Sequence, residues 1–239
     1  MKNSLRSLLI PVLLIAWPAA VWSFQLTPMS AVIDLSGSSP TTTFEVTNPG
    51  NSPVAIELRV ATRRIDPDGT ELNEDASDQI QLFPSQLVLR RGASQTVRAR
   101  WIGQSTPERE LPFRVTAEQL PINLNRGQTE ASGLQFMLRY RATLYVRPPG
   151  TAPDLEVLSI DVDDPERVTV NLRNNGTRHQ LFFQGAVILE DGDGAVQEID
   201  FETIDAFLGV NVLPGEDRRV RVPRDQLPFE PASMRFRFN

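Results

Sequence analysis

The stretch Leu134–Gly150, "LQFMLRYRATLYVRPPG", decides how the rest of the chain is read. From Leu134 to Arg147 its apolar and polar positions alternate without a break. Leu134, Phe136, Leu138, Tyr140, Ala142, Leu144 and Val146 share one face, and Gln135, Met137, Arg139, Arg141, Thr143, Tyr145 and Arg147 share the other. Period-two alternation predicts a half-buried β-strand. At about 3.3 Å per residue the strand would reach roughly 50 Å, more than twice the ordinary length. The pattern alone leaves two uses open. Either all seven apolar residues line a long core, or Leu134, Phe136 and Leu138 project beyond a core packed by Ala142 to Val146. Pro148 and Pro149 end the run, because two prolines remove the donors a ladder needs.

Working outward, the whole chain reads as strands. "AVIDL", "TTTFEVTN", "VAIELRVATRRI", "QIQLFPSQLVLR", "TVRARWI" and "LPFRVTAEQLP" precede the long stretch, separated by Gly, Pro, Asn and Asp. Beyond "RPPGTAP" come "LEVLSIDVDD", "RVTVNLRN", "HQLFFQGAVILED", "VQEIDFE", "RRVRVP" and "SMRFRFN". Many short strands with turn chemistry between them predict antiparallel sandwiches. No segment carries a helical stripe. The expected organisation is all-β, with one domain over 24–148 and a second over 149–239. Residues 1–23 are set aside: Lys2 and Arg6, the apolar run from Leu8 to Trp17 and the small residues after it describe a secretory signal peptide, with cleavage expected after Ser23.

Composition narrows the function classes. Without Lys2 and Arg6, 22 basic residues face 30 acidic ones, a balance that argues against nucleic acid or an anionic membrane as partner. The chain has no cysteine, so its cores must supply the stability that disulfides would otherwise provide. Lys2 is the only lysine, which leaves arginine as the cation throughout the rest. His179 is the only histidine; it sits in a turn entering a strand, without a nucleophile motif, and reads as a surface residue. Asp191 and Asp193 in "EDGDGA" lack the further ligands of a calcium loop and read as a hairpin turn. Asn175 begins an Asn-Gly-Thr acceptor pattern, a match common by chance. Nothing points to an enzyme, a cofactor, a metal or a small-molecule substrate.

Several segments in order resemble the periplasmic chaperones of the chaperone–usher pathway, which assemble pili and fimbriae. "TPERELPFRVTAEQLP" (Thr106 to Pro121) is similar to that family's acidic-Arg-Glu triplet followed by a strand, here with Glu108, Arg109 and Glu110. "LRRGASQTVR" (Leu89 to Arg98) looks like its turn and strand, with Arg91 where proline is usual. "LYVRPPG" matches the end of its long seventh strand, and "VLPGEDRRV" resembles a turn of its second domain.

The resemblance implies two immunoglobulin-like sandwiches set as a boomerang. It implies a seventh strand that lends Leu134, Phe136, Leu138 and Tyr140 to an incomplete pilus subunit, by donor-strand complementation, before delivery to an outer-membrane usher. The other class weighed is a secreted structural or adhesive sandwich protein of a surface fibre; the short segment Phe24 to Ser30 leaves no room for a subunit's donor extension. Family members hold the subunit's terminal carboxylate with an Arg and a Lys, at positions that align with Ala31 and Thr143. Both cations are missing here. Arg139 and Arg141 are the nearest replacements by spacing, with Arg98 behind them. Glu110 and Arg147 match positions of an interdomain ion network, with Asp225 expected as its acidic partner from the second domain.

Overall fold

The computed structural model describes residues 24–37, 40–121 and 137–239. The expected signal peptide and the donor positions Leu134 and Phe136 lie outside the described residues. Eleven strands come first: β1 (Gln25–Thr27), β2 (Ser30–Asp34), β3 (Thr41–Thr47), β4 (Val54–Thr62), β5 (Arg64–Ile65), β6 (Glu71–Leu72), β7 (Ile80–Phe83), β8 (Gln86–Leu89), β9 (Ser94–Trp101), β10 (Leu111–Gln119) and β11 (Arg139–Arg147). They form a sheet in the order β1-β3-β9-β7 and a facing sheet in the order β2-β11-β10-β4-β8. The alternation read in the sequence is what packs them. Phe44, Val46 and Val97 point inward from the first sheet, and Ile33, Phe113, Val115 and Leu144 from the second.

Eight further strands build a second sandwich: β12 (Leu155–Asp161), β13 (Arg167–Asn174), β14 (Gln180–Leu181), β15 (Gly185–Glu190), β16 (Val196–Asp200), β17 (Asn211–Val212), β18 (Asp217–Pro223) and β19 (Ser233–Phe238). Its sheets run β12-β13-β18 and β16-β15-β19, with β14 and β17 paired beside them. Phe182 sits at the centre, its ring 4.9 to 5.6 Å from those of Phe201, Phe207, Phe236 and Phe238. Each buried phenylalanine contributes about 1.5–3 kcal/mol, so this cluster supplies much of what a disulfide would in a cysteine-free chain. Among the described residues there is no α-helix, only a 3-10 turn at Arg224–Gln226.

Local chemistry explains three departures from the expected strands. The long stretch is a strand only over Arg139–Arg147 among the described residues, because its partner β10 ends at Gln119 ahead of Pro121. The run from Val54 to Ile65 breaks at Arg63, and β5 turns away to pair with β6 in a small hairpin. The run from His179 to Asp191 divides into β14 and β15 at Gly185, whose φ of +136° no L side chain adopts easily. The hairpin at "EDGDGA" is as expected, joining β15 to β16. There Asp191 Oδ1 accepts the N–H groups of Asp193 and Ala195 at 2.9 and 2.8 Å, so its carboxylate is spent inside the turn.

The two sandwiches meet through a small third cluster, in which Ile65, Tyr145 and Leu213 are buried with Val32 packed against them. Tyr145 lies on the polar face of the alternation and is nevertheless 4% exposed, because the second sandwich covers it.

Candidate functional site

β11 is the strand on which the site is built, and its two edges differ. Along one edge it pairs with β10 from Arg139↔Glu118 to Val146↔Leu111. Along the other it pairs with β2, in parallel, only from Thr143↔Ser30 to Arg147↔Asp34. Thr143 N–H donates to Met29 carbonyl at 2.9 Å, where the β2 side of the ladder begins. Before that point Arg139 to Ala142 have no ladder partner on this side among the described residues. In an antiparallel pair successive residues turn their backbone groups to opposite sides, so Arg139 and Arg141 share the outward direction of Thr143. A short length of sheet edge therefore stands open.

The apolar face of this edge is less exposed than the alternation predicts. Ala142, Leu144 and Val146 are fully buried, as expected for core positions. Leu138 is half-buried and packs against the first core instead of projecting beyond it. Tyr140 does the same, its ring meeting Phe24 edge-on at 5.0 Å. For Tyr140 the physical reason is that buried Phe24 offers its ring an apolar wall. Met137, on the other face, is exposed.

The polar face carries a cluster of arginines around one carboxylate. Arg63 Nε donates to Glu71 Oε1 at 2.7 Å, Arg141 Nη2 donates to Oε2 at 2.6 Å, and Arg114 grips both oxygens. The side chains of Arg63 and Arg114 are 10% and 11% exposed, that of Glu71 17%. Burial alone would raise the Glu71 carboxyl, but the hydrogen bonds and charges of Arg114 and Arg63 outweigh it and hold it at about 2. Arg114 also donates through Nη1 to Thr143 Oγ1 at 2.9 Å and to the Arg141 carbonyl at 3.2 Å. A cation thus stands beside Thr143, delivered from the neighbouring strand. Of the expected replacements, Arg141 belongs to this cluster, while Arg139 pairs with Glu118 at 2.5 Å. Arg98 lies on β9 in the other sheet and is exposed. Ala31 is buried opposite Leu144, with no polar atom to offer.

The expected ion network at the seam exists, with a different third member. Glu110 is wholly buried. Its Oε2 accepts Arg147 Nε at 2.6 Å, and its Oε1 accepts the backbone N–H of His179 at 3.1 Å and faces His179 Nδ1 at 2.5 Å. Burial pushes the carboxyl up; the bond and charge of His179 and the bond of Arg147 more than offset it, leaving it below its ordinary value. Asp225 takes no part. It sits in the 3-10 turn after β18, and a second carboxylate beside Glu110 would repel the first.

His179 is correspondingly not a surface residue. Its ring stacks on Tyr145 at 3.9 Å with an interplanar angle of 3°. Buried Asn174 fixes the turn that presents it, donating to the carbonyls of Arg178 and Val212 and accepting from Asp154 and Gly176 N–H groups. Tyr145 hydroxyl accepts from Asn211 of the second sandwich at 2.8 Å and from Arg63 at 3.4 Å. The arginine cluster and the seam are therefore joined through one tyrosine.

Comparison with known proteins places this two-sandwich chain in a family. A family model described as pili and flagellar-assembly chaperone, PapD N-terminal domain, matches residues 25–152. The chain belongs to the pili and flagellar-assembly chaperone family. This is a family of assembly chaperones, not of enzymes or of fibre components. Solved structures agree in fold. The chain is similar to one in the CsuC–CsuE chaperone–tip adhesion subunit pre-assembly complex of Acinetobacter baumannii (16% identity, 89% of this chain and 91% of that one, TM-score 0.58). It is similar to the class 5 fimbriae chaperone CfaA (13% identity, 91% and 100% covered, TM-score 0.58). It is similar to a chain in the complex of the Salmonella enterica SafA pilin with the SafB chaperone (17% identity, 86% of each, TM-score 0.55). No curated protein sequence matched. At these identities the structural likeness carries the fold: two immunoglobulin-like sandwiches in series.

Glu110 and Arg147 were legible in the motif; His179 was read as a surface residue, and Glu71 and Arg114 were not singled out. Aligning the two strands as a hairpin would have put Arg114 opposite Thr143, the register they adopt.

Proposed function

We propose that this family member is a periplasmic chaperone that completes pilus or fimbrial subunits by lending them β11 and the residues before it, and then passes them to an outer-membrane usher. Its two units are taken as 24–148 and 149–239, after removal of residues 1–23 as a signal peptide. The observation that carries the reading is the edge of β11, which among the described residues is open from Arg139 to Ala142 beside a ladder closed from Thr143 onward. Strand addition at such an edge gives affinity through the main chain and specificity through alternate side chains, and chaperone–pilin pairs are a general instance of that mode. Covering a bare edge also prevents aggregation of the subunit. In this reading Leu134 and Phe136, which continue the alternation outward, are the donated side chains, with half-buried Leu138 and Tyr140 at the base of the donor segment. Related complexes support the subunit as partner: CsuC–CsuE pairs a chaperone with a tip adhesion subunit, and SafB a chaperone with a pilin.

Replacing Leu134 and Phe136 together with Asp is the test. Co-expressed with a pilus subunit from the same genome, the variant is expected to lose subunit capture while its own Tm stays within about 1 °C, as for surface changes. A fall in Tm of many degrees would make both residues core and remove the donor role.

A further inference from the structure

We infer that the second sandwich is itself a receptor for a strand: the groove between β12 and β19 takes an extended segment of another protein that alternates acidic and apolar residues. The inference does not rest on the open edge of β11. The two sandwiches follow one plan up to a point, and two wholly buried asparagines mark it. Asn48, just after β3, donates through Nδ2 to the carbonyls of Ser52 at 2.8 Å and Leu89 at 3.2 Å and accepts Gly50 N–H at 3.0 Å. Asn174, at the end of β13, donates to the carbonyls of Arg178 at 2.8 Å and Val212 at 3.0 Å and accepts Gly176 N–H at 3.0 Å. Gly92 and Gly215 N–H groups donate to the Asn48 and Asn174 carbonyls at 2.7 and 2.8 Å. β3 thus matches β13, and the strands beside them, β9 and β18, match each other. The next strand in each sandwich crosses to the facing sheet, β10 against β4 and β19 against β15, both antiparallel. There the likeness stops. β10 carries β11 on its other side, whereas β19 carries no strand there among the described residues.

In place of a counterpart to β11 lies a groove of about 580 Å³, lined by Leu155 and Val157 of β12 and by Met234, Phe236 and Phe238 of β19. Phe236 and Phe238 are only half-buried, although both rings meet Phe182. In the first sandwich the inward side chains of β11, Leu144 and Val146, are fully buried. A strand laid along β19 brings its inward side chains onto the two half-covered rings and closes a bare ladder edge in one step.

The outward face of β19 sets the rest of the chemistry. Arg235 and Arg237 alternate with the inward rings and are exposed. Arg237 is paired with Glu198 of β16 at 3.0 Å, and Arg235 has no ion pair among the described residues. Opposite charges facing each other on neighbouring strands attract, and like charges repel. A second copy adding its own β19 sets arginine against arginine, so the edge disfavours self-pairing and favours a strand with Asp or Glu at its outward positions.

The probe is an N-acetylated, C-amidated peptide of alternating valine and glutamate, roughly as long as an ordinary strand, added to the full chain at neutral pH and followed by calorimetry and hydrogen exchange. Backbone amides of Ser233–Phe238 should gain protection while those of Arg139–Ala142 do not. Arg235→Glu should weaken this peptide about fivefold, and a valine–lysine peptide should prefer that variant to the wild type. Arg235→Gln, which only removes the charge, gives a smaller change of the same sign. Protection confined to Arg139–Ala142, equal affinity for wild type and Arg235→Glu, or no binding of either peptide would overturn the receptor. A wild-type dimer in sedimentation whose protection at Ser233–Phe238 is lost on dilution would give the groove to a second copy and overturn the acidic partner.

Discussion

Glu71 and Glu110 are both poorly exposed carboxylates held by arginine, each one step from Tyr145, Glu71 through the Arg63 hydrogen bond and Glu110 through the stacked ring of His179, and they are built to opposite ends. Around Glu110 the account closes: one arginine, one histidine ring and one backbone N–H take both oxygens of a wholly buried anion. Around Glu71 it does not: three guanidinium groups share one carboxylate that keeps some contact with solvent. A saturated ion pair fixes a geometry. An unsaturated one is poised to accept another anion.

The largest effect is expected at the joint. Glu110→Gln leaves Arg147 and His179 facing each other without an anion in a buried seam, and should cost about 3 kcal/mol. Trp101 packs on the first core and reports that sandwich alone, whereas circular dichroism sees both. The variant should separate into two unfolding transitions, only one of them visible to tryptophan. A single coincident transition would mean that Glu110 is not what couples the sandwiches.

The pH dependence sharpens the other side. Both carboxyls sit below their ordinary values, so each contributes stability that is present above about pH 4.5 and lost as pH falls. For Glu71 the loss extends down to about 2. Denaturation midpoints should be level from neutral pH to about 5 and decline below it. In Glu71→Gln the neutral value should be lower and the acid decline shallower, and added salt should restore part of the loss by screening the arginines. An acid limb identical to wild type would deny Glu71 its place in the arginine cluster.

The smallest effect is expected from His179→Phe. It keeps a ring stacked on Tyr145 and removes the bond to Glu110, while Arg147 and the backbone N–H remain. A loss of about 1 kcal/mol in chemical denaturation fits one hydrogen bond. A loss as large as that of Glu110→Gln would make the histidine, not the arginine, the main partner of Glu110.

The fold was largely legible because its signal is local. Phe113, Val115 and Ala117 alternate with Arg114 and Thr116 in the sequence as they do across the sheet. Glu110 and Arg147 were readable because they sit in motifs. What escaped was made by distance. Glu71 lies in an acidic, turn-rich stretch that reads as a solvated loop, and only the hairpin of β5 with β6 swings it onto Arg63, Arg114 and Arg141. His179 has no periodic neighbour to mark it as buried, and its place depends on the turn held by Asn174. Leu138 looked like a projecting residue because alternation does not say where a core ends, and it packs against the first core.

The hairpin of β5 and β6 can also be read as a piece of carpentry. One foot, Glu71, stands among the arginines of the first sandwich. The other is its turn, where Pro67 carbonyl takes Arg219 N–H at 2.7 Å and Asp68 takes Arg219 and Arg221. The piece is a diagonal brace across the corner between two walls. Gly69 lies in that turn at a φ of +96°; a side chain there would strain the backbone, and its first carbon would meet the Arg218 guanidinium at 2.4 Å and push it aside. Neither wall can swing without loading this brace, and whatever lifts its first foot slackens the corner.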